Sequence, residues 1–244
     1  MTPRAAYSLA VVCEAERDRF TATSLADRIL VQDVEWIEPE SLDLHRTWRG
    51  LEDGQAFLDW HALKKIRIKP HGHFDGRPGA PGALMAHKAL LLLATCASPP
   101  DAVLLVWDSD RQDQRQEGLR QAREERPWPF PVIIGLAHPE RESWVLVTFE
   151  PANPREEERL REVTRQLGFD PRLRPTALND PGKSDTRNLK RVLELLTGAD
   201  RDREDACWTG CDLDVLSVRG QDTGLAEFIE EIRSRLVPLF LKSL

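Results

Sequence analysis

The chain has few cysteines and no long apolar run, and these two features exclude some classes of protein. Four cysteines in 244 residues do not give the dense pairing of a small secreted scaffold, so we expect reduced thiols in a reducing compartment. No apolar run reaches the roughly 18 residues that a membrane-spanning helix needs. The N-terminal segment has a short apolar run but no small-residue cleavage site. The cytoplasm is therefore the expected location, and no membrane partner is expected.

An excess of positive charge is also missing. The 34 lysines and arginines are outnumbered by 41 acids, which gives a net charge of −7, so the surface as a whole is not built for nucleic acid. A local basic surface is still compatible with the sequence, because cations cluster in two segments. These are Lys64, Lys65, Arg67 and Lys69, and then Arg172, Arg174, Lys183, Arg187, Lys190 and Arg191.

What the chain does have is a regular alternation of strand and helix patterns. The segments "YSLAVVCE", "AVLLVWD" and "PVIIGLA" are apolar runs separated by helical segments, among them the polar segment 111–126. Uninterrupted apolar strands are typical of a parallel sheet covered on both faces. We predict an open, mainly parallel α/β sheet with helices on both faces in residues 1–150, with an irregular insertion at about 31–80. Residues 151–244 predict a helical extension packed on the same domain.

Acidic residues follow all three predicted strands. Glu14 ends the first, Asp108 and Asp110 end the second, and Glu142 follows the third. The carboxyl ends of parallel strands share one edge of a sheet, where ligands gather. Crowded carboxylates repel one another unless a cation shares the site, and oxygen ligands suit Mg²⁺ or Mn²⁺. The pattern predicts a divalent-metal site, with a helix N-cap as the alternative role for Asp110.

These segments resemble the Toprim domain of topoisomerases, primases and OLD-type nucleases. "VVCEAERDRF" is similar to the start of small stand-alone bacterial Toprim-like proteins, with Ala15 where a glycine is common. "VWDSDRQDQRQEG" resembles their Asp-x-Asp strand. "IIGLAHPERESWVL" resembles a Glu-x-Trp segment of defence-associated or uncharacterised members. The resemblance covers roughly residues 7–150, and it implies a Toprim-like, Rossmann-like fold.

The resemblance also implies roles for individual acids. Glu14, Asp108 and Asp110 would be the core metal-binding and catalytic acids, and Glu14 would in addition do general acid/base work. Asp18 stands where many members keep a second acid, and Glu142 matches the extra acid of the small group. The implied cofactor is Mg²⁺ or Mn²⁺.

Several other side chains are candidates for binding substrate. Lys183, at a Gly-containing helix start, suits a phosphate, while a plain cap of the following helix is the alternative. His71 and His73, in the loop "HGHFDG", are expected near the sheet edge and are candidates to touch substrate. With Cys207 and Cys211 they also allow a zinc site, although the Cys-x-x-x-Cys spacing is not diagnostic.

The expected function is that of a Mg²⁺- or Mn²⁺-dependent phosphodiester hydrolase, a nuclease on DNA or RNA in a bacterial defence or repair system. Trp36, Trp48 and Trp60 would then stack on bases, or else form a small core under the insertion. One alternative is a haloacid-dehalogenase-like phosphatase, with Asp108 as nucleophile and Asp110 as acid/base. Another is a non-catalytic Toprim-like adaptor whose apolar C-terminal helix binds a partner protein encoded nearby.

Overall fold

The computed structural model describes residues 6–52, 54–68, 72–110, 112, 114–178 and 186–242. The protein is α/β, with a mainly parallel sheet surrounded by helices, which confirms the predicted fold class. The chain divides into two compact units. Unit 1 contains residues 1–136 and 228–244, and unit 2 contains residues 137–227.

Unit 1 is built on a five-stranded sheet with the order β2-β1-β6-β7, in which β3 also pairs with β1. Strand β1 is parallel to β2, β3 and β6. A separate antiparallel hairpin consists of β4 and β5. The elements are β1 (Tyr7–Cys13), α1 (Glu16–Asp33), a 3-10 turn (Pro39–Leu44), β2 (Arg46–Arg49), β3 (Leu58–Asp59), α2 (Trp60–Leu63), β4 (His73–Phe74), β5 (Arg77–Pro78), α3 (Ala83–Thr95), β6 (Ala102–Asp108), α4 (Arg115–Glu124) and β7 (Val132–Ala137).

Both faces of this sheet are covered. Residues 9–13 of β1 and 102–105 of β6 are completely buried, and successive strand residues point to opposite faces. One face packs against α2, α3 and α4 around Leu63, Leu90 and Leu119. Helix α1 contacts β1 and β6 and buries Leu25, Ala26, Ile29 and Leu30. The apolar strands β1 and β6 are therefore covered on both sides, as the sequence predicts.

The insertion is more ordered than the sequence predicts, because two of its short segments join the main sheet. Strand β2 is fixed to α1 by Asp27, which accepts hydrogen bonds from Arg46 Nε (2.7 Å) and Trp48 Nε1 (3.0 Å). Strand β3 is only two residues long and leads directly into α2. Segments this short carry too little periodic pattern to be recognised as strands.

The C-terminal segment completes unit 1. Helix α10 (Leu225–Glu231), a π-helical turn (Ile232–Leu236) and α11 (Val237–Leu241) follow one another without a break. The rings of Tyr7 and Phe240 lie 4.5 Å apart, and the Tyr7 hydroxyl donates to the carbonyl of Leu239 at 2.8 Å. Leu236 and Phe240 are completely buried. These two side chains, which the adaptor alternative assigns to a partner, therefore belong to the core of unit 1.

Unit 2 is helical in its described part, with 3-10 turns at Pro175–Ala177 and Gln221–Thr223. Its α-helices before α10 are α5 (Arg141–Leu146), α6 (Pro154–Leu167), α7 (Leu189–Thr197), α8 (Arg201–Gly210) and α9 (Leu213–Arg219). Side chains of Asn153, Asn188, Asp200 and Asp212 accept hydrogen bonds from first-turn amides and fix the starts of α6 to α9. Across the described ranges of both units, no helix combines the length and the apolar character needed to cross a membrane.

Candidate functional site

Acidic residues stand at the carboxyl ends of three strands of unit 1. Glu14 follows β1, Asp59 ends β3 and Asp108 ends β6, with Asp110 two residues further on. Since β3 and β6 both run parallel to β1, these strand ends lie on the same side of the sheet. We call Glu14, Asp59, Asp108 and Asp110 the acidic edge.

The Glu14 carboxylate is held by a tryptophan. Trp107 Nε1 donates to Glu14 Oε1 at 2.8 Å. The Trp107 ring stacks on Trp60 with a centroid separation of 4.3 Å and an interplanar angle of 12°. Trp60 is 1% exposed, and its Nε1 donates to the carbonyl of Val106 at 2.8 Å. Trp60 is therefore a core residue that supports Trp107, and it does not offer a surface for base stacking.

The Asp110 carboxylate is held by an arginine. Arg115 NH1 donates to Asp110 Oδ2 at 2.7 Å and also to the backbone carbonyl of Asp108. The guanidinium carbon lies 4.6 Å from the centre of the Trp107 ring. The Arg115 side chain is only 8% exposed, and its Nε has no acceptor among the described residues. A cation is thus built into the acidic edge.

The N-cap alternative for Asp110 is wrong. Helix α4 begins at Arg115 rather than at residue 111, and its N-cap residue is Gln114. Asp110 instead has a φ of 46°, in the left-handed region that aspartate tolerates better than most side chains. Its carboxylate faces the Arg115 guanidinium, and its conformation is part of the turn that returns the chain from β6 to α4.

The first turn of α1 uses the second predicted acid as a cap. Asp18 Oδ2 accepts a hydrogen bond from the Ala15 amide at 2.9 Å. Ala15 has a φ of −148°, an extended backbone that needs no glycine, so the alanine costs the turn nothing. Burial raises the pKa of the Cys13 thiol, which is completely buried just before Glu14. The cysteine is therefore a packing residue and not a nucleophile.

Glu142 lies in unit 2, next to a buried arginine. Arg141 NH2 is 3.2 Å from Glu142 Oε1, and Arg141 NH1 is 3.0 Å from Glu204 Oε1. Glu140, the residue before Arg141, pairs with Lys190 at 2.7 Å. The segment after β7 thus carries two carboxylates that flank one buried cation.

The other predicted site residues are not brought together in the described chain. His73 lies exposed on β4, while His71 and Lys183 lie outside the described residues. Burial raises the pKa of the Cys207 thiol to about 11, and Arg203 NH1 donates to its Sγ at 2.9 Å. Within the described ranges, no cysteine or histidine joins two further side chains in a possible metal-ligand group. The zinc alternative gains no support from the structure.

The acidic edge has the right donor chemistry for a hard cation but needs additional ligands. Carboxylate oxygens are the donors that Mg²⁺ and Mn²⁺ prefer. In the described part of unit 1 alone, however, no three candidate ligand atoms all lie within 4.8 Å of one another. A cation held by Asp108 would therefore take further oxygens from water or from other carboxylates.

Sequence reasoning missed three residues that bear on this site: Asp59, Trp107 and Arg115. Trp107 directly precedes Asp108 and had the pattern of a core residue of β6. Asp59 ends a strand too short to be recognised, although an acid after an apolar pair is the same signal as at Glu14. Arg115 lies in a polar run whose pattern is that of a solvated helix, so nothing in the sequence indicated its burial.

Comparison of the chain with protein-family models, with curated proteins and with solved structures finds no match. The Toprim-like resemblance therefore rests on the three short sequence segments alone.

Proposed function

We propose that the protein binds Mg²⁺ or Mn²⁺ at the acidic edge and hydrolyses phosphodiester bonds in DNA or RNA. The observation that carries this proposal is the position of Asp108 at the end of buried strand β6, beside β1, which Glu14 follows. An acid that ends a fully apolar strand has no packing role, whereas the carboxyl edge of a parallel sheet is where ligands bind.

The proposed ligand is Asp108, whose carboxylate stands at the acidic edge where β6 ends. The described residues of unit 1 do not bring three candidate ligand atoms together, so water completes the coordination. A small set of carboxylates, completed by water, is the usual ligand set of Mg²⁺. The Toprim-like resemblance implies Glu142 as a further ligand, and this stays a prediction.

Glu14 has a separate role in this proposal. A bound divalent cation supplies charge neutralisation for phosphoryl oxygens and a water molecule of lowered pKa. Glu14, whose carboxylate Trp107 holds in one orientation, accepts a proton from the attacking water. A general base must be positioned before its pKa matters, and the indole N–H provides that positioning.

A polyanionic substrate is favoured by cations close to the acidic edge in the chain. Lys64, Lys65 and Arg67 are exposed in the segment that follows α2, which itself starts directly after Asp59. Phosphate backbones bind such clusters through charge, and this binding weakens with salt. We therefore propose nucleic acid as the substrate, with binding that declines as ionic strength rises.

The proposal is tested with Mn²⁺ titrations and cleavage assays on single-stranded DNA, duplex DNA and RNA. Asp108→Asn should weaken Mn²⁺ binding by at least about tenfold and abolish cleavage. Asp101→Asn is the matched control just before the opposite end of β6, because the Asp101 carboxylate accepts a hydrogen bond from the Ser8 amide at 2.8 Å and asparagine can do the same. A wild-type protein that binds no Mn²⁺ and cleaves none of these substrates would refute the proposal. A beryllium fluoride adduct on Asp108 would instead establish the phosphatase alternative.

A further inference from the structure

Arg115 is a buried cation placed among carboxylates. Arg115 NH1 donates to the Asp110 carboxylate at 2.7 Å and to the Asp108 carbonyl, and the guanidinium carbon lies over the Trp107 ring, 4.6 Å from its centre. Burying a guanidinium is costly unless its charge is paired. The Arg115 Nε, which has no acceptor among the residues that the structure describes, adds to that cost. A residue kept under these conditions points to a role that a neutral side chain would not fill.

The position of the guanidinium is fixed by its surroundings. A Cβ atom added at Gly82 would lie 3.3 Å from the Trp107 ring and 3.4 Å from Arg115 Cγ, so this turn packs directly on both side chains. Trp107 is in turn fixed by the Trp60 stack. The Arg115 guanidinium is therefore held at the acidic edge itself, and any effect of its charge falls on that edge rather than on a distant substrate group.

We propose that Arg115 takes the place of a second metal ion, so that the acidic edge binds one divalent cation and Asp110 serves as the partner of Arg115. This inference rests on the proposed function, since it sets the number of cations at the same site. A carboxylate already neutralised by a guanidinium at hydrogen-bond distance has little attraction left for a divalent ion. The fixed positive charge also repels a second cation at that position.

The number of bound ions tests this inference. Mn²⁺ bound per chain is counted by electron paramagnetic resonance of the free aquo ion, using the wild-type chain and three variants. Wild type should bind one ion. Arg115→Gln should bind a second, weaker ion because it releases Asp110. Arg115→Lys should return to one, because lysine restores the positive charge. Arg123→Gln removes the other largely buried arginine of α4, which pairs with Glu231 at 2.7 Å, and should stay at one.

The outcomes separate this inference from the proposed function. A wild type that binds no Mn²⁺ overturns both. A wild type with two ions, or an Arg115→Gln variant that stays at one, overturns the inference alone. If circular dichroism shows that Arg115→Gln is unfolded, the Asp110→Asn variant tests the inference instead. It should still bind one ion, with an affinity changed by less than about threefold because only a screened charge is lost. Loss of the ion in this variant would make Asp110 a ligand and refute the inference.

Discussion

Trp107 joins the two ends of the acidic edge through three contacts of different kinds. Its indole N–H donates to Glu14. Its ring stacks on Trp60, and the Arg115 guanidinium lies over the same ring. The first contact is a directional hydrogen bond, whereas the other two depend only on an aromatic ring. The roles of Trp107 can therefore be separated by a substitution that keeps the ring.

Trp107→Phe should lower cleavage activity about tenfold while costing only about 1 kcal/mol of unfolding free energy. Phenylalanine keeps an aromatic surface for Trp60 and Arg115 but cannot donate to Glu14. The matched control is Trp128→Phe, which removes another indole N–H, bonded to the carbonyls of Ala122 and Arg123. Initial cleavage rates and urea unfolding are measured on both variants. Equal activities would show that the Glu14 hydrogen bond has no part in the reaction.

Only part of the acidic edge was predictable from the sequence. Glu14 and Asp108 stand out because an acid directly after an apolar strand cannot be a core residue. The partners that orient the acids could not be predicted in the same way. Arg115 lies in "DRQDQRQEG", where its neighbours are all polar, and its burial depends on Trp107 and Gly82, which are distant in sequence or belong to another element.

Helix α4 holds Arg115 in place because it packs closely on the turn before α3. A Cβ atom added at Gly118 would lie 2.0 Å from the carbonyl oxygen of Pro81 and 2.8 Å from the Ala83 amide nitrogen. Gln121 Oε1 accepts a hydrogen bond from the Ala80 amide at 2.8 Å. The glycine is therefore required by close approach of backbone to backbone and not by its own backbone conformation.

Gly118→Ala should lower the unfolding free energy by about 2 kcal/mol. In an open helix the same change would raise it by up to about 1 kcal/mol, so the sign of the effect reports the contact. Gly210→Ala is the control, because Gly210 also lies in a helix and a Cβ there meets nothing within 4 Å. Urea unfolding of both variants gives the comparison. A stabilised Gly118→Ala would show that α4 does not approach Pro81 this closely.

Long apolar elements were predicted well, and the reason is physical. Strand β6 spans Ala102–Asp108 and β7 spans Val132–Ala137, within one residue of the predicted segments, because a buried strand must be apolar throughout. The start of α4 was predicted four residues too early, since a run of polar residues has no marked boundary. The strand order was not predictable, because it depends on contacts between segments far apart in the chain.

At the scale of the whole molecule, the position of the closing helix could not be predicted from the sequence either. Its amphipathic pattern predicted a helix, but its place in unit 1 depends on contacts such as that between Tyr7 and Phe240. No local pattern reports a contact such as the hydrogen bond from Tyr7 to Leu239, whose partners are 232 residues apart in the sequence. Buried ion pairs are equally hard to predict from the sequence, because each charged partner looks like an ordinary surface residue until the folded structure is known.

The stability of the molecule in acid should depend on one such pair, Glu156 with Arg203. Glu156 is 4% exposed and accepts from Arg203 Nε at 3.0 Å and NH2 at 2.8 Å, which lowers its pKa to about 2. Because the folded pKa of Glu156 lies below the unfolded one, this stabilisation is complete above about pH 5 and is lost as the pH falls toward 2.

Glu156→Gln should lower the unfolding free energy by about 3 kcal/mol at pH 7 and flatten its decline between pH 5 and 2. Urea unfolding followed by circular dichroism at several pH values measures this. Glu162→Gln, at an exposed pair with Arg165, should leave stability nearly unchanged, and an equal loss in both variants would contradict a special role for the buried pair.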